Sequence, residues 1–288
     1  MKVILSPNPY RDRGLKVAQQ AQKILERAGI QTVICLPFEL EEMGREELPR
    51  EVKYGEMQKE LPDANMLICF GGDGTILHAA RDANVHDIPV LGINMGSVGF
   101  MAELEHGELD KLNQIASGKY SVEWRMMLDV AVKRGRDILF RDIALNDAVI
   151  TKGAVARVID LSVRADGVRI YDYSGDGLIL STPTGSTAYS MSAGGPIVEP
   201  TAENILVTPI CAHSLQTKPL VLGRSRVVSV RLGKVARKTA YLSVDGGKAF
   251  KLSGGDIVEV CRSKKITRLV RMTSHSFYEN INQKLRRA

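Results

Sequence analysis

The chain has 288 residues, enough to bury a proper core and to form two modest domains. Its 44% apolar and 25% charged residues are those of an ordinary globular protein and argue against disorder. No stretch approaches the roughly 18 consecutive apolar residues of a membrane span, so no membrane partner is expected.

The first third alternates strand and helix signals. Met1 to Asn8 enters a short apolar run, Val3-Ile4-Leu5, and then a turn; this is too short for a signal peptide and reads as a first strand. Leu15, Ala18, Ala21, Leu25 and Ala28 recur at spacings of three and four, which predicts a helix over 15–28 with Gly29 as its stop. Val33 to Leu36 is the next apolar run. An acidic segment follows from Glu39 to Glu60, with eight Glu against Arg45, Arg50, Lys53 and Lys59, and reads as an excursion from the core. Met66 to Phe70 and Pro89 to Ile93 predict two more strands, with a helix over 75–81 between them. Continuous apolar strands alternating with helices imply a parallel sheet covered on both faces, with ligands beyond the carboxyl ends of the strands.

After about Tyr120 the pattern changes to short alternating runs. Leu128–Val132, Arg157–Val163, Val227–Leu232, Thr239–Val244 and Ile257–Val260 are separated by turn signals such as Ala165-Asp166-Gly167 and Asp245-Gly246-Gly247. These predict a mostly antiparallel second domain. Cys35, Cys69, Cys211 and Cys261 are far apart and lie in apolar runs, so they read as small buried hydrophobes in a reducing, intracellular setting. From Arg262 to Ala288 eight Lys or Arg face Glu279 alone. A basic tail can dock nucleic acid. With one Phe, one Tyr and no nucleic-acid motif, it reads instead as a solvated surface that attracts anionic small substrates, and no nucleic acid is expected.

Two common nucleotide motifs are missing. No Gly-Lys pair is followed by Ser or Thr, and no G-x-G-x-x-G follows a strand. The best substitute is Gly71-Gly72-Asp73-Gly74-Thr75, after a buried strand and opening a helix. The glycines let backbone approach a ligand, and the helix start offers free amides to phosphate. Asp73 suits a hydroxyl or a metal ion beside the phosphates, which is a kinase arrangement; the plain alternative is a strand-to-helix turn. A second glycine cluster, Gly92 to Phe100 with Asn94 in it, would line the same edge of the sheet, or serve only to turn the chain.

Asn146-Asp147 places an amide beside a carboxylate, a pair able to bridge a ribose diol. Strand neighbours point to opposite faces, so both reach one ligand only where the strand ends or bulges. On its own the pair reads as a turn. The stretch from Asp176 to Ser190 reads as a strand, a Pro-marked turn and a hydroxyl-rich helix start, more than a single cap requires. Tyr189 in it can offer a ring face to a base. His213 has no second His, Cys or carboxylate at ligand spacing and reads as a satisfied core histidine.

Together these motifs resemble the NAD kinase family, in the family's order and over nearly the whole chain. They are GGDGT at 71–75, NMGSVGF at 94–100, LND at 145–147, DGLILSTPTGSTAYSMSAGGP at 176–196 and ICAHSLQTKPLVL at 210–222. GGDGT alone is shared with lipid kinases of the diacylglycerol and sphingosine type; the TGSTAYS stretch is far more specific. The resemblance implies transfer of the terminal phosphoryl of ATP, with Mg2+ or another divalent metal, to the 2'-hydroxyl of the adenosine ribose of NAD. It implies an α/β amino-terminal domain with a parallel, Rossmann-like sheet over 1–119 with 268–288, a β-rich carboxy-terminal domain over 120–267, and a site between them. It further implies a cytoplasmic homodimer or homotetramer.

By resemblance Asp73 is the catalytic carboxylate, and Gly71, Gly72, Gly74, Thr75 and Asn94 hold ATP phosphates. Asp73 and Gly74 also meet NAD, and Asn146 and Asp147 bind it through its ribose or nicotinamide end. Thr187, Ala188 and Tyr189 line the adenine and nicotinamide pockets, with Asp176 and Ser186 nearby and Asp245 by the reacting ribose. The family usually carries Asn-Glu where this chain has Asn146-Asp147, so the carboxylate reaches one methylene less. The alternatives are a lipid kinase with the same loop, which needs an apolar acceptor pocket, and a dinucleotide-binding regulator without turnover, which needs no carboxylate beside phosphates.

Overall fold

The computed structural model describes residues 1–37, 48–96, 99–153, 157–214, 216–233, 239–274 and 276–287. Residues 39–47 of the acidic run, Ser97 and Val98 of the second glycine cluster, and Leu215 lie outside the described residues. The chain forms two compact units, Met1–Trp124 with Thr267–Ala288, and Arg125–Ile266.

In the first unit, β1 (Lys2–Pro7), β2 (Gln31–Ile34), β3 (Met66–Gly71) and β4 (Val90–Asn94) lie in the order β2-β1-β3-β4, all parallel, and the two-residue β5 (Leu104–Glu105) adds to β4. Every residue of β3 and β4 is buried, as strands covered on both faces demand. Helix α1 (Lys16–Arg27) starts where the buried Asp12 carboxylate accepts the Val17 and Ala18 N–H groups, at 3.0 and 2.9 Å. Its buried Ala18, Ala21 and Leu25 pack with Val3, Leu5 and Ile68, and Gly29, at φ +80°, ends it. Helix α2 (Asp73–Val85) follows β3 directly and is longer at both ends than the expected 75–81. Helix α3 (Phe277–Arg287) closes the chain. Part of the basic carboxy-terminal run is fixed here. Arg271 pairs with Glu103 and Glu123, and Glu103 also accepts the Met272 N–H at 2.7 Å.

The second unit is a two-sheet sandwich of antiparallel pairs. One sheet is built on β6 (Ser121–Arg134, from residue 125 in this unit), β7 (Asp137–Ala144), β9 (Ile159–Ala165), β10 (Val168–Gly175), β14 (Val228–Leu232) and β17 (Ile257–Arg271, whose last residues belong to the first unit). The other runs β13-β12-β11-β8-β15-β16, with β8 Asp147–Lys152, β11 Gly177–Ser181, β12 Asn204–Ile210, β13 Leu220–Gly223, β15 Ala240–Val244 and β16 Phe250–Leu252. Alternate residues, among them Leu128, Val130, Ala148, Ile150, Leu178, Leu180, Val228 and Val230, fill one core between the sheets. The two predicted turns occur with positive φ at Asp166-Gly167 and Asp245-Gly246, the conformation that makes tight hairpins.

Not every buried position was foreseen. Cys35 and Cys69 are buried, and burial pushes both thiols up to about 12, but Cys211 is exposed and Cys261 half-buried. Cys211 sits at φ +44°, where the chain turns out of β12, so its apolar neighbours in sequence are not its neighbours in space. His213, two residues on, is exposed as well and is no core histidine; it lines a cavity of about 790 Å³ with Asp160, Ser174 and Arg231.

Candidate active site

Asp73 is the first residue of α2. Thr75 and Ile76 donate the first helical bonds to the Gly72 carbonyl, which leaves the amides of Asp73 and Gly74 without intrahelical partners. Two observations explain the glycines. A β-carbon on Gly71 would lie 2.2 Å from Thr75 Oγ1, so β3 can turn into α2 only without one. Gly72 and Gly74 have open space above them, which leaves the helix start accessible.

The Asp73 carboxylate is held from the opposite side. Oδ2 accepts the Phe100 N–H at 2.9 Å and Oδ1 the Met101 N–H at 3.1 Å. Gly99 lies so close that a β-carbon on it would be 2.2 Å from Oδ1. The second glycine cluster therefore serves as the seat of Asp73. Gly71 is in register with Asn94 across the parallel pair β3 and β4, so both loops leave one edge of the sheet. Asn94 itself is fully buried, and its Nδ2 donates to both oxygens of Glu105 at 3.0 Å, so its amide holds the strand end in place.

Sequence reasoning missed two participants on this edge. Asn8 donates through Nδ2 to Thr75 Oγ1 at 3.2 Å, and its backbone and side chain organise the β1–α1 loop. That loop carries Arg11, exposed, with Nη1 3.9 Å from where a Gly96 β-carbon would stand. The signal for Asn8 and Arg11 was their place just past the carboxyl end of β1, the edge where ligands of such sheets bind.

In the second unit Asn146 immediately precedes β8, so the pair straddles a strand start, one of the places where neighbouring side chains are not forced apart. The segment is gripped by Asp245, whose carboxylate accepts the N–H groups of Leu145 at 2.7 Å, Asn146 at 2.8 Å and Asp147 at 3.0 Å. Burial raises the Asp245 carboxyl above the ordinary carboxylate range, against those three bonds. Asp147 is pushed up to about 7, first by burial and then by the charge of Asp245.

The hydroxyl-rich segment docks on the same place. Thr182 donates its N–H to the Asn146 carbonyl at 2.9 Å and its hydroxyl to the Leu145 carbonyl. A β-carbon on Gly185 would lie 2.1 Å from the Asn146 carbonyl oxygen, which is why glycine stands there. The Ser186 hydroxyl donates to the Pro183 and Val198 carbonyls and accepts the Val198 N–H, so it clips the loop together. Thr187 Oγ1 donates to the Thr184 carbonyl. Tyr189, in contrast, is 44% exposed. Asp176 is ion-paired with Lys152 at 2.6 Å.

With this geometry in place, comparison with known proteins is decisive. The ATP-NAD kinase N-terminal domain matches residues 3–120, and the ATP-NAD kinase C-terminal domain matches residues 145–272. The chain belongs to the ATP-NAD kinase family. The NAD kinase of Ruminiclostridium cellulolyticum is 36% identical over 99% of this chain and 97% of its own length. That of Geobacter metallireducens is 45% identical over 81% of this chain and 83% of its own. Among solved structures, a yeast NADH kinase complexed with NADH superimposes with a TM-score of 0.86 at 26% identity, covering 99% of this chain and 87% of that one. An NAD kinase from Archaeoglobus fulgidus in complex with ATP gives 0.73 at 25% identity, covering 99% of both chains. The α/β and β-rich halves of this kinase are thus those of its family, and the enzyme is a phosphotransferase.

Proposed function

We propose that this kinase transfers the terminal phosphoryl of ATP to the 2'-hydroxyl of the adenosine ribose of NAD, giving NADP. The observation that carries the reading is the seat of Asp73: a carboxylate at a helix start, fixed by two backbone amides, beside two open glycines. Phosphoryl transfer is mostly positioning and charge stabilisation. The free amides of α2 receive phosphate oxygens, with Arg11 supplying positive charge at the same edge. Each Asp73 oxygen keeps a lone pair after accepting one N–H, so the carboxylate can accept the acceptor hydroxyl and hold it for attack. In the second unit the Tyr189 ring face takes a base, with Thr187 and Ala188 beside it. Asn146, Asp147 and Asp176 meet polar edges of NAD. Asp245 and Ser186 act by holding the segments that carry those groups.

A divalent ion fits this arrangement in one way. Among the described residues no group of three or more His, Cys, Asp or Glu is gathered to cage one. Mg2+ is ordinarily held by substrate phosphates, waters and one or two carboxylates, and Asp73 is placed to be such a carboxylate. When bound, the ion neutralises phosphate charge. Assembly into homodimers or homotetramers and a cytoplasmic setting belong to the same reading; its support is the family resemblance and four cysteines that are all free. Among the described residues no helix is long and apolar enough to cross a membrane.

The test is to assay Asp73→Asn beside the unaltered enzyme. The reading expects turnover to fall by roughly a hundredfold or more, with NAD binding retained. Wild-type turnover in the variant would contradict it.

A further inference from the structure

The cluster at the start of β8 holds several buried polar groups without hydrogen-bond partners. Asp147 is 6% exposed, and among the described residues none donates a hydrogen bond to its carboxyl. Asn146 Oδ1 is buried with no donor opposite it. Ser181 is directly opposite Asp147 in the antiparallel pair of β8 with β11, so the two side chains share a face, and its hydroxyl is buried and unpartnered too. Among the described residues, the charged group acting on Asp147 is the Asp245 carboxylate, just past the end of β15, with Asp142 of β7 acting in turn on Asp245. Lys152, at the far end of β8, is ion-paired with Asp176.

The two carboxyls are not equivalent. Asp245 accepts three successive backbone N–H groups, a concave nest that suits an anion. Asp147 has no such partners and lies beside that anion in a buried place. Two adjacent carboxyls, one buried and one half-buried, do not both carry full charge readily, and the one without donors keeps the proton.

We propose that Asp147 meets NAD as a neutral carboxylic acid, donating a hydrogen bond to an acceptor atom of the dinucleotide while Asn146 Oδ1 accepts from a donor beside it. A ligand edge with donor next to acceptor, such as a carboxamide presents, fits this pair. The inference rests on the reading that the second unit binds NAD, and it reverses the usual role of a carboxylate as acceptor. The usual glutamate of the family has one more methylene with which to reach away from Asp245; the aspartate does not.

Calorimetry of NAD binding to the whole enzyme, in two buffers of different ionisation heat, tests this. At pH 8 the unaltered enzyme should take up close to one proton per NAD, and Asp147→Asn none. Between pH 6 and pH 8 NAD affinity of the unaltered enzyme should weaken, approaching tenfold per pH unit above the midpoint, while that of Asp147→Asn stays flat. Equal proton uptake by the two proteins would overturn the proposal, as would a wild-type affinity that is flat or tightens with pH. These wild-type measurements need no variant to fold. Failure of NAD to bind at any pH would instead contradict the underlying reading of the site.

Discussion

Gly99 stands against Asp73 so closely that a β-carbon on it would lie 2.2 Å from the carboxylate oxygen Oδ1. The neighbouring amides of Phe100 and Met101 hold both oxygens. The glycine is therefore demanded by the Asp73 carboxylate, not by backbone torsion. Gly99→Ala should push the carboxylate out of its seat and lower kcat by about tenfold to a hundredfold, since displacements near 1 Å cost that much. Thermal unfolding should shift little by comparison. An unchanged kcat would show that the seat does not position Asp73.

Asp245 gives a stability prediction. Its carboxylate serves three amides at once, so Asp245→Ala leaves three partly buried donors unpaired. Unpaired buried groups cost about 1–3 kcal/mol each, and water can reach some of them, so a loss of at least roughly 2 kcal/mol is expected. Denaturant unfolding measures it. A loss within about 0.5 kcal/mol, the range of ordinary surface substitutions, would show that the grip is weak.

The pH dependence of stability has a definite sign at Asp147. Its folded-state pKa, about 7, lies above the ordinary carboxylate value. As pH rises from near 4 to near 7, the unfolded chain releases a proton that the native state keeps, so this group's contribution to stability falls through that window. Asp147→Asn cannot ionise and escapes the loss. Its Tm relative to the unaltered enzyme should be higher at pH 8 than at pH 5. The opposite trend would mean that Asp147 is ionised and stabilised in the free enzyme.

Tyr189 supplies a binding prediction. The ring is 44% exposed, so truncation leaves the core intact. Tyr189→Ala should weaken NAD binding by about 1–3 kcal/mol, the range for loss of base stacking on an aromatic ring, with Tm unchanged. Unaltered NAD affinity by calorimetry would remove the ring from the site.

The sequence carried the fold well wherever hydrophobic period and turn chemistry agreed. The runs at Val3–Leu5 and Met66–Phe70 became fully buried parallel strands, and Asp166-Gly167 and Asp245-Gly246 became turns. The motifs were legible because glycine, hydroxyl and carboxylate cluster at strand ends. What stayed hidden was long-range. That Gly99 seats Asp73 and that Asp245 grips residues 145–147, 98 to 100 positions away, depends on tertiary approach that no local pattern encodes. Local pattern also misled at Cys211 and His213, where a positive-φ residue turns the chain outward from an apolar run. The bond between the Ser186 hydroxyl and Val198, twelve residues on, was likewise not legible from local pattern.

The central claim is that this chain phosphorylates NAD from ATP. Incubating it with Mg-ATP and NAD, then adding an NADP-specific dehydrogenase with its substrate, tests that most directly. The account predicts an NADP signal that grows with enzyme and time and is lost in Asp73→Asn. Absence of NADP in that assay, with turnover on diacylglycerol under the same conditions, would contradict it.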